Sequence, residues 1–191
     1  MPVVSGSIDF RKKQETMNKT KIYKFDKFQS SGFTLVEIMV TLVIVSIGML
    51  GLSKLQLTSL RYNQNAYQRS IATQLAYDMT NRMRANASVV NSGAYHSPTA
   101  AQKTACLSTA GCSPTEMAAH DVYEWLSTAS PTSVVNQLPD SSATVCLDST
   151  PEDGVAATPA CDGLGSQHAI KIWWSNDAGV TTFRFVTSVQ I

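Results

Sequence analysis

One acidic residue, Glu37, lies inside an otherwise uncharged apolar run that covers residues 33–53. A carboxylate in a bilayer core costs about 2.5–3.5 kcal/mol on insertion scales, so an intramembrane acid implies a cationic partner. Three small residues that end at Gly32 come directly before the run. Cleavage after Gly32 would leave the apolar run on the mature chain and create an ammonium at Phe33, four residues from Glu37. This spacing predicts a charge pair between Glu37 and the Phe33 amine, within one helix or between two subunits, where it would set their axial register. The alternative is that Glu37 lies at the membrane interface without a partner.

The apolar run has the length of a membrane span. At about 1.5 Å per residue it covers roughly 31 Å, which matches a hydrocarbon core of about 30 Å. Residues 1–32 carry seven basic and three acidic residues, a charge of +4, so the rest of the +1 chain carries +1 − 4 = −3. A basic segment before an apolar one stays cytoplasmic. We predict a cleaved leader over 1–32, a transmembrane and assembly segment over 33–53 and a periplasmic head over 54–191. A basic leader could also start at Met17, and both starts remain open.

The helical pattern continues beyond the apolar run, because residues 54–86 contain neither Pro nor Gly. We predict one helix from Phe33 to about Asn86, apolar all round in its first half and packed on the head by its second half. Asp78 and Arg82 are four residues apart and can pair on the helix surface, either as a solvated pair or as a subunit interface. We also expect Tyr67 and Met83 in the core. The apolar stripe that would face the head consists of Leu57, Leu60, Tyr67, Ile71, Leu75 and Met79.

The remaining signals predict an α+β head. Ser113–Glu116 is a capping box with Pro at the first helical position, and it predicts a short helix to about Thr128. The expected buried face of that helix consists of Met117, Val122, Trp125 and Leu126. Alternating apolar residues predict strands over 143–147, 168–175 and 180–191, in one small antiparallel sheet against the second half of the long helix.

Cysteine usage agrees with an exported head, since all four cysteines follow the apolar run. An even count in an exported domain favours disulfides. Three pairings are possible, and sequence proximity favours Cys106–Cys112 and Cys146–Cys161 because short loops close most readily.

No catalytic or metal centre is predicted. His96, His120 and His168 lie in different segments without metal-ligand spacing, and the serines form no nucleophile–base motif. We therefore expect no enzyme activity, no cofactor and no metal. The small net charge and the acidic head argue against a nucleic-acid partner.

The stretch Ser31-Gly32-Phe33-Thr34-Leu35-Val36-Glu37 resembles the processing site of type IV pilins and pseudopilins. The resemblance implies cleavage by prepilin peptidase between Gly32 and Phe33, N-methylation of Phe33 and a charge-pairing role for Glu37. It also implies the type IV pilin fold. The implied location is the inner membrane, with a periplasmic head, before assembly and a cell-surface pilus afterwards. The implied partners are the peptidase, the major pilin, minor pilins and the inner-membrane pilus assembly platform.

A longer stretch, residues 47–88, is similar to the PilV-type minor pilins. The similarity is carried by Leu50-Gly51-Leu52, Ser59-Leu60-Arg61, Ala76-Tyr77-Asp78 and Asn81-Arg82-Met83-Arg84-Ala85-Asn86. Asn81 departs from the acidic residue of that branch, which removes a partner for a nearby arginine. The similarity implies a minor pilin that helps to initiate pilus assembly. An adhesin-like binding subunit and a pseudopilin of a type II secretion or competence system are the alternatives.

Overall fold

A computed structural model describes residues 32–191, so the predicted leader lies outside the described residues except for its last residue, Gly32. The chain divides into two compact units between Gly51 and Leu52, and each is described by itself. The helices are α1 (Leu35–Ala85), α2 (Pro114–Leu126) and α3 (Val134–Gln137). The strands are β1 (Ser142–Leu147), β2 (His168–Ser175) and β3 (Thr182–Val189), and two short 3-10 helices cover Ala87–Val89 and Thr104–Leu107.

Helix α1 confirms the predicted long helix to within two residues at its start and one at its end. Its last turn carries Arg82 and Arg84, whose charges favour the negative end of the helix dipole. The helix stops where the Asn86 side chain donates hydrogen bonds to the Pro114 carbonyl (2.7 Å) and to the Tyr95 hydroxyl (3.2 Å). In the first unit, every residue from 32 to 51 is exposed. Helix α1 is long and apolar enough to cross a membrane by length and composition.

The face that α1 buries against the head is shorter than predicted. It begins at Gln68 and consists of Gln68, Ala72, Leu75, Ala76, Met79, Thr80 and Met83. The expectation that Leu57, Leu60 and Tyr67 belong to the buried stripe is wrong, because these side chains are 61%, 64% and 64% exposed. Ile71 is only half-buried. Apolar periodicity shows which side of a helix could be covered, but the length that is covered depends on where the packed elements end.

The three strands form one antiparallel sheet in the order β1-β2-β3, as predicted. Ile170, Ile172 and Trp174 of the central strand join the core with the buried residues of α1 and α2. The alternate residues Ala169, Lys171 and Trp173 are also buried. Lys171 reaches backbone oxygens of Asp153 and Pro159, so the segment between β1 and β2 covers the second face of the sheet. Strand β3 starts two residues later than predicted because Val180, 85% exposed, belongs to the preceding turn.

Helix α2 has the predicted capping box: the Ser113 hydroxyl accepts from the Glu116 N–H, and the Glu116 carboxylate accepts from the Ser113 N–H. Val122 and Trp125 are buried as predicted, but the expectation for Met117 and Leu126 is only half correct, since both are half-buried. The sequence pattern did not indicate that Ala118, His120 and Asp121 would be buried. The two polar side chains are buried because they have hydrogen-bond partners, which a hydrophobic pattern cannot reveal.

Candidate processing and assembly sites

The expected cleavage junction lies just before α1 and is accessible. Gly32 is exposed, and a Cβ added to it would meet no atom within 4 Å. Phe33 is 78% exposed. Since a larger residue at position 32 would meet no obstacle among residues 32–191, any requirement for glycine there would come from the enzyme that cuts it.

Thr34 caps the N-terminus of α1. The Glu37 backbone N–H donates to Thr34 Oγ1 (3.2 Å), and the Ile38 N–H donates to the Thr34 carbonyl (3.3 Å). The T-x-x-E spacing of Thr34 and Glu37 is the sequence signal for this cap. The Glu37 carboxylate is exposed in the first turn, where the helix dipole favours an acid, and it forms no ion pair within residues 32–191. Pairing with the Phe33 amine requires the free N-terminus that cleavage would create.

Arg82 is the centre of a charge cluster that joins α1 to α2. Its guanidinium lies 3.0 Å from Asp78 Oδ2, 3.3 Å from Asp121 Oδ1 and 2.9 Å from Glu124 Oε2. The Tyr95 hydroxyl donates to the other Asp121 oxygen (2.6 Å). The sequence indicated only the pair four residues apart; the two acids of α2 follow Arg82 by 39 and 42 residues. Arg82 therefore contacts three carboxylates of its own head, which share its single positive charge.

The cluster changes the titration of its members. Burial alone lowers the pKa of Arg82, but hydrogen bonds to Glu124 and Asp78 outweigh it, so the pKa is raised above its usual range. Burial, followed by the hydrogen bond to Asp121, raises the pKa of Tyr95. Both shifts keep Arg82 charged and Tyr95 neutral, so the hydroxyl stays a donor to Asp121.

The structure joins Cys106 to Cys112 and Cys146 to Cys161, the two pairs that sequence proximity favours. No cysteine is free within residues 32–191. The two sulfurs of the second bridge and the Asp148 carboxylate lie within 4.8 Å of one another. They do not make a metal site, because disulfide sulfurs are not thiolate ligands and Asp148 is paired with Lys171.

Lys171 is a fully buried cation on the second face of the sheet. Its Nζ lies 2.6 Å from Asp148 Oδ2, whose side chain is equally buried, and 3.0 Å from Asp153 Oδ1. It also donates to the carbonyls of Asp153 (3.1 Å) and Pro159 (2.8 Å). The contact with Asp148 therefore pairs two opposite charges that are both removed from water. These contacts hold the segment between β1 and β2 against the sheet.

His96 and His168, which the sequence places in different segments, line one cavity together with Leu147 and Gly163. His168 is buried, and its Nε2 has no hydrogen-bond partner in the described part of the chain. Burial, and then the nearby His96, lowers the pKa of His168. The Leu147 N–H donates to His96 Nδ1 (3.1 Å), so a neutral His96 carries its proton on Nε2. That tautomer makes the Nε2 of His96 a donor rather than a metal ligand.

Comparisons with known proteins agree with the N-terminal architecture. Residues 27–53 match the family model described as the prokaryotic N-terminal methylation motif, and residues 54–123 match the Tt1218-like family, described as type IV pilin Tt1218. Neither curated proteins nor solved structures gave a match. The two matched segments adjoin between residues 53 and 54, within α1, and the second includes all of α2 except its last three residues. The chain therefore has the N-terminal methylation motif, the adjoining pilin segment and the fold of a type IV pilin.

Proposed function

We propose that this protein is a minor pilin of a type IV pilus, which prepilin peptidase cuts between Gly32 and Phe33. The observation that carries the proposal is the exposed Gly32–Phe33 junction, placed directly before the exposed apolar start of α1. Cutting there keeps the apolar helix on the mature protein, whereas a secretory signal loses its apolar region. The mature chain would be held in a membrane or a filament by that helix.

The location follows from charge and cysteine usage. The basic residues before the apolar segment keep the N-terminus cytoplasmic, and the two disulfides of the head suit the oxidising periplasm. We propose a single-pass inner-membrane protein before assembly and a pilus subunit afterwards. Its partners are prepilin peptidase, the inner-membrane pilus assembly platform, the major pilin and other minor pilins. The similarity of residues 47–88 to PilV-type minor pilins supports a minor role.

Cleavage is tested by Gly32→Leu in cells that express prepilin peptidase. The expected result is accumulation of the full-length precursor on immunoblots, with no N-methylated Phe33 by mass spectrometry of the N-terminal peptide. Gly48→Leu is the matched control, because that glycine lies in the same exposed segment and a Cβ there also meets no atom within 4 Å. Normal shortening of the Gly32→Leu chain would place the cleavage site elsewhere.

The charge pair is tested by Glu37→Ala. The N-cap hydrogen bond uses the Glu37 backbone N–H, so this change leaves the start of α1 capped. We expect normal cleavage and methylation but loss of the subunit from sheared pili, because the Phe33 ammonium would have no carboxylate to pair with inside an apolar filament. Glu37→Gln should behave like Glu37→Ala, and Glu37→Asp should retain partial assembly. Wild-type incorporation of the Ala and Gln variants would refute the pairing.

A further inference from the structure

We propose that the cavity lined by His96 and His168 binds an oxyanion, the carboxylate or phosphate group of a small ligand. The histidine cavity, as we name it, has a volume of about 600 Å³. It lies where the end of β1 meets the start of β2. Small-ligand sites have volumes of roughly 300–1,000 Å³, so there is room for more than a bare ion. Besides the two histidines, its polar lining side chains are Asn91, Ser92 and Ser166.

The sheet brings the two histidines together. Leu147 and His168 lie opposite each other in the β1–β2 pairing. The Leu147 N–H donates to His96 Nδ1 (3.1 Å), so the His96 ring is held beside this pair. The next residue along the chain, Ser97, donates its backbone N–H to the Val145 carbonyl of β1 (2.9 Å). Both imidazoles are therefore positioned by backbone contacts of the head itself.

His96 offers a hydrogen-bond donor to the cavity. Because its Nδ1 accepts from Leu147, the neutral ring carries its proton on Nε2. A Cβ added at Gly163, whose φ is +73°, would lie 3.1 Å from this Nε2. The missing side chain of Gly163 thus leaves open a space at hydrogen-bond distance from the donor, and an acceptor oxygen of a ligand can occupy it.

His168 supplies a second imidazole, which is buried and unpaired. It is 3% exposed, and its Nε2 has no hydrogen-bond partner among residues 32–191. Its neighbours across the sheet, Leu147 on β1 and Val189 on β3, are apolar. Since buried polar groups almost always have a partner, an unpaired buried nitrogen in the wall of a cavity indicates a partner outside the chain. Protonation makes both ring nitrogens donors and adds a positive charge that an anion would compensate.

The charges around the cavity favour an anion. No carboxylate is among its described lining residues. Of the two acids next to the lining in the sequence, Asp148 is paired with Lys171, and Asp162 accepts backbone N–H groups of its own segment. Burial lowers the pKa of His168, and the only charged group that adds to this effect is His96. When both rings are protonated they repel each other, and an anion between them would offset that repulsion.

The same composition makes binding depend on pH. No lysine or arginine is among the described lining residues, so the positive charge of the cavity comes from its imidazoles alone. Because the pKa of His168 is lowered in the free head, an oxyanion binds together with a proton. The affinity should therefore increase about tenfold or more when the pH falls from about 7.5 to about 5.5.

The test is nuclear magnetic resonance of the full chain in an uncharged polyoxyethylene detergent, with ¹⁵N-labelled histidine. The chain has three histidines, so three sets of ring signals are followed. His120 is the internal control, because it does not line the cavity and its Nδ1 accepts from the Lys103 N–H. The titrants are inorganic phosphate, glucuronate as an acidic sugar and glucose as a neutral one, at constant ionic strength. Phosphate, glucuronate or both should shift the His96 and His168 signals saturably and leave His120 unchanged. Which of the two saturates the signals identifies the oxyanion.

A charge variant at the rim of the cavity gives a second readout without touching either histidine. Ser166 is exposed, so Ser166→Asp adds a carboxylate at the rim without disturbing the core. We expect it to weaken oxyanion binding about fivefold to tenfold through charge repulsion. Ser166→Asn is the matched control, because it has the same shape without the charge, and it should bind like the wild type.

The inference is overturned if neither oxyanion shifts the His96 and His168 signals saturably at the lower pH, or if His120 responds equally. It also fails if glucose binds as well as glucuronate, if the affinity is the same at both pH values, or if Ser166→Asp binds like Ser166→Asn. The measurements require neither cleavage nor pilus assembly, so their outcome is separate from that of the proposed function.

Discussion

Replacing Lys171 with methionine should destabilise the head strongly. Lys171 and Asp148 are both 0% exposed at the side chain, and their charged atoms lie 2.6 Å apart. Methionine keeps most of the buried length but leaves the Asp148 carboxylate without its cation. Breaking a buried pair by removing one partner costs about 3–5 kcal/mol, because a buried charge is then uncompensated. The carbonyls of Asp153 and Pro159 also lose a donor, so we expect at least about 3 kcal/mol.

The matched control is Arg184→Met. Arg184 lies on β3 and contacts the same segment through Glu152, at 3.3 Å, with side-chain exposures of 34% and 79%. Exposed pairs contribute about 0–1 kcal/mol because water screens them. Both substitutions remove an ion pair and hydrogen bonds to carbonyls of the segment between β1 and β2, but only Lys171→Met leaves a buried carboxylate without its cation.

The assay is urea unfolding of the full chain in detergent, with the disulfides intact and tryptophan fluorescence as the readout. Trp173 and Trp174 flank the site on β2 and are buried, so their emission follows the loss of the sheet. The double variant Lys171→Met/Asp148→Asn should recover part of the loss, because it removes the uncompensated charge. A Lys171→Met cost no larger than that of Arg184→Met, or a double variant no more stable than the single one, would refute the reasoning.

Two further predictions concern buried polar groups. Because burial lowers the pKa of His168, the unfolded chain binds a proton at a pH where the folded chain does not. The free energy of unfolding should therefore fall as the pH drops below about 6.5. His168→Gln should flatten this dependence between pH 5 and pH 7, and an unchanged slope in urea unfolding would contradict the prediction. Trp125→Phe removes the donor of the 3.0 Å hydrogen bond from Nε1 to the Leu75 carbonyl. Trp125 is 1% exposed, so this change should lower the free energy of unfolding by about 1–3 kcal/mol in the same assay. A loss near zero would mean that neither its packing nor this bond stabilises the head.

Features that depend on a few neighbouring residues could be read before the fold was known. The capping box at Ser113 is a local signal, since its hydrogen bonds close within three residues. The antiparallel strands were indicated by alternation at Ile170, Ile172 and Trp174, which all lie in the core. The long α1 was indicated by the absence of Pro and Gly between Gly51 and Asn86. In each case the signal arises from the backbone geometry of one element, so it can be recognised without knowing what that element packs against.

Features that depend on distant partners could not be read in the same way. The apolar stripe continued through Leu57 and Leu60, but the first buried residue of α1 is Gln68, whose side chain donates to Asn176 in the turn between β2 and β3. The pair that the sequence indicated at Asp78 and Arg82 is part of a larger cluster, since α2 places Asp121 and Glu124 next to Arg82 as well.

The residues alone were enough to predict a Gly32–Phe33 junction, an apolar helix with one acid and a disulfide-bearing α+β head. These properties are carried by composition and by short, regular spacings. The packed structure was needed to show which of three disulfide pairings is made, that Lys171 is a buried cation rather than a surface one, and that Arg82 meets three carboxylates. Burial and charge balance are sums over groups brought together from distant parts of the chain, so they exist only once the packing is known.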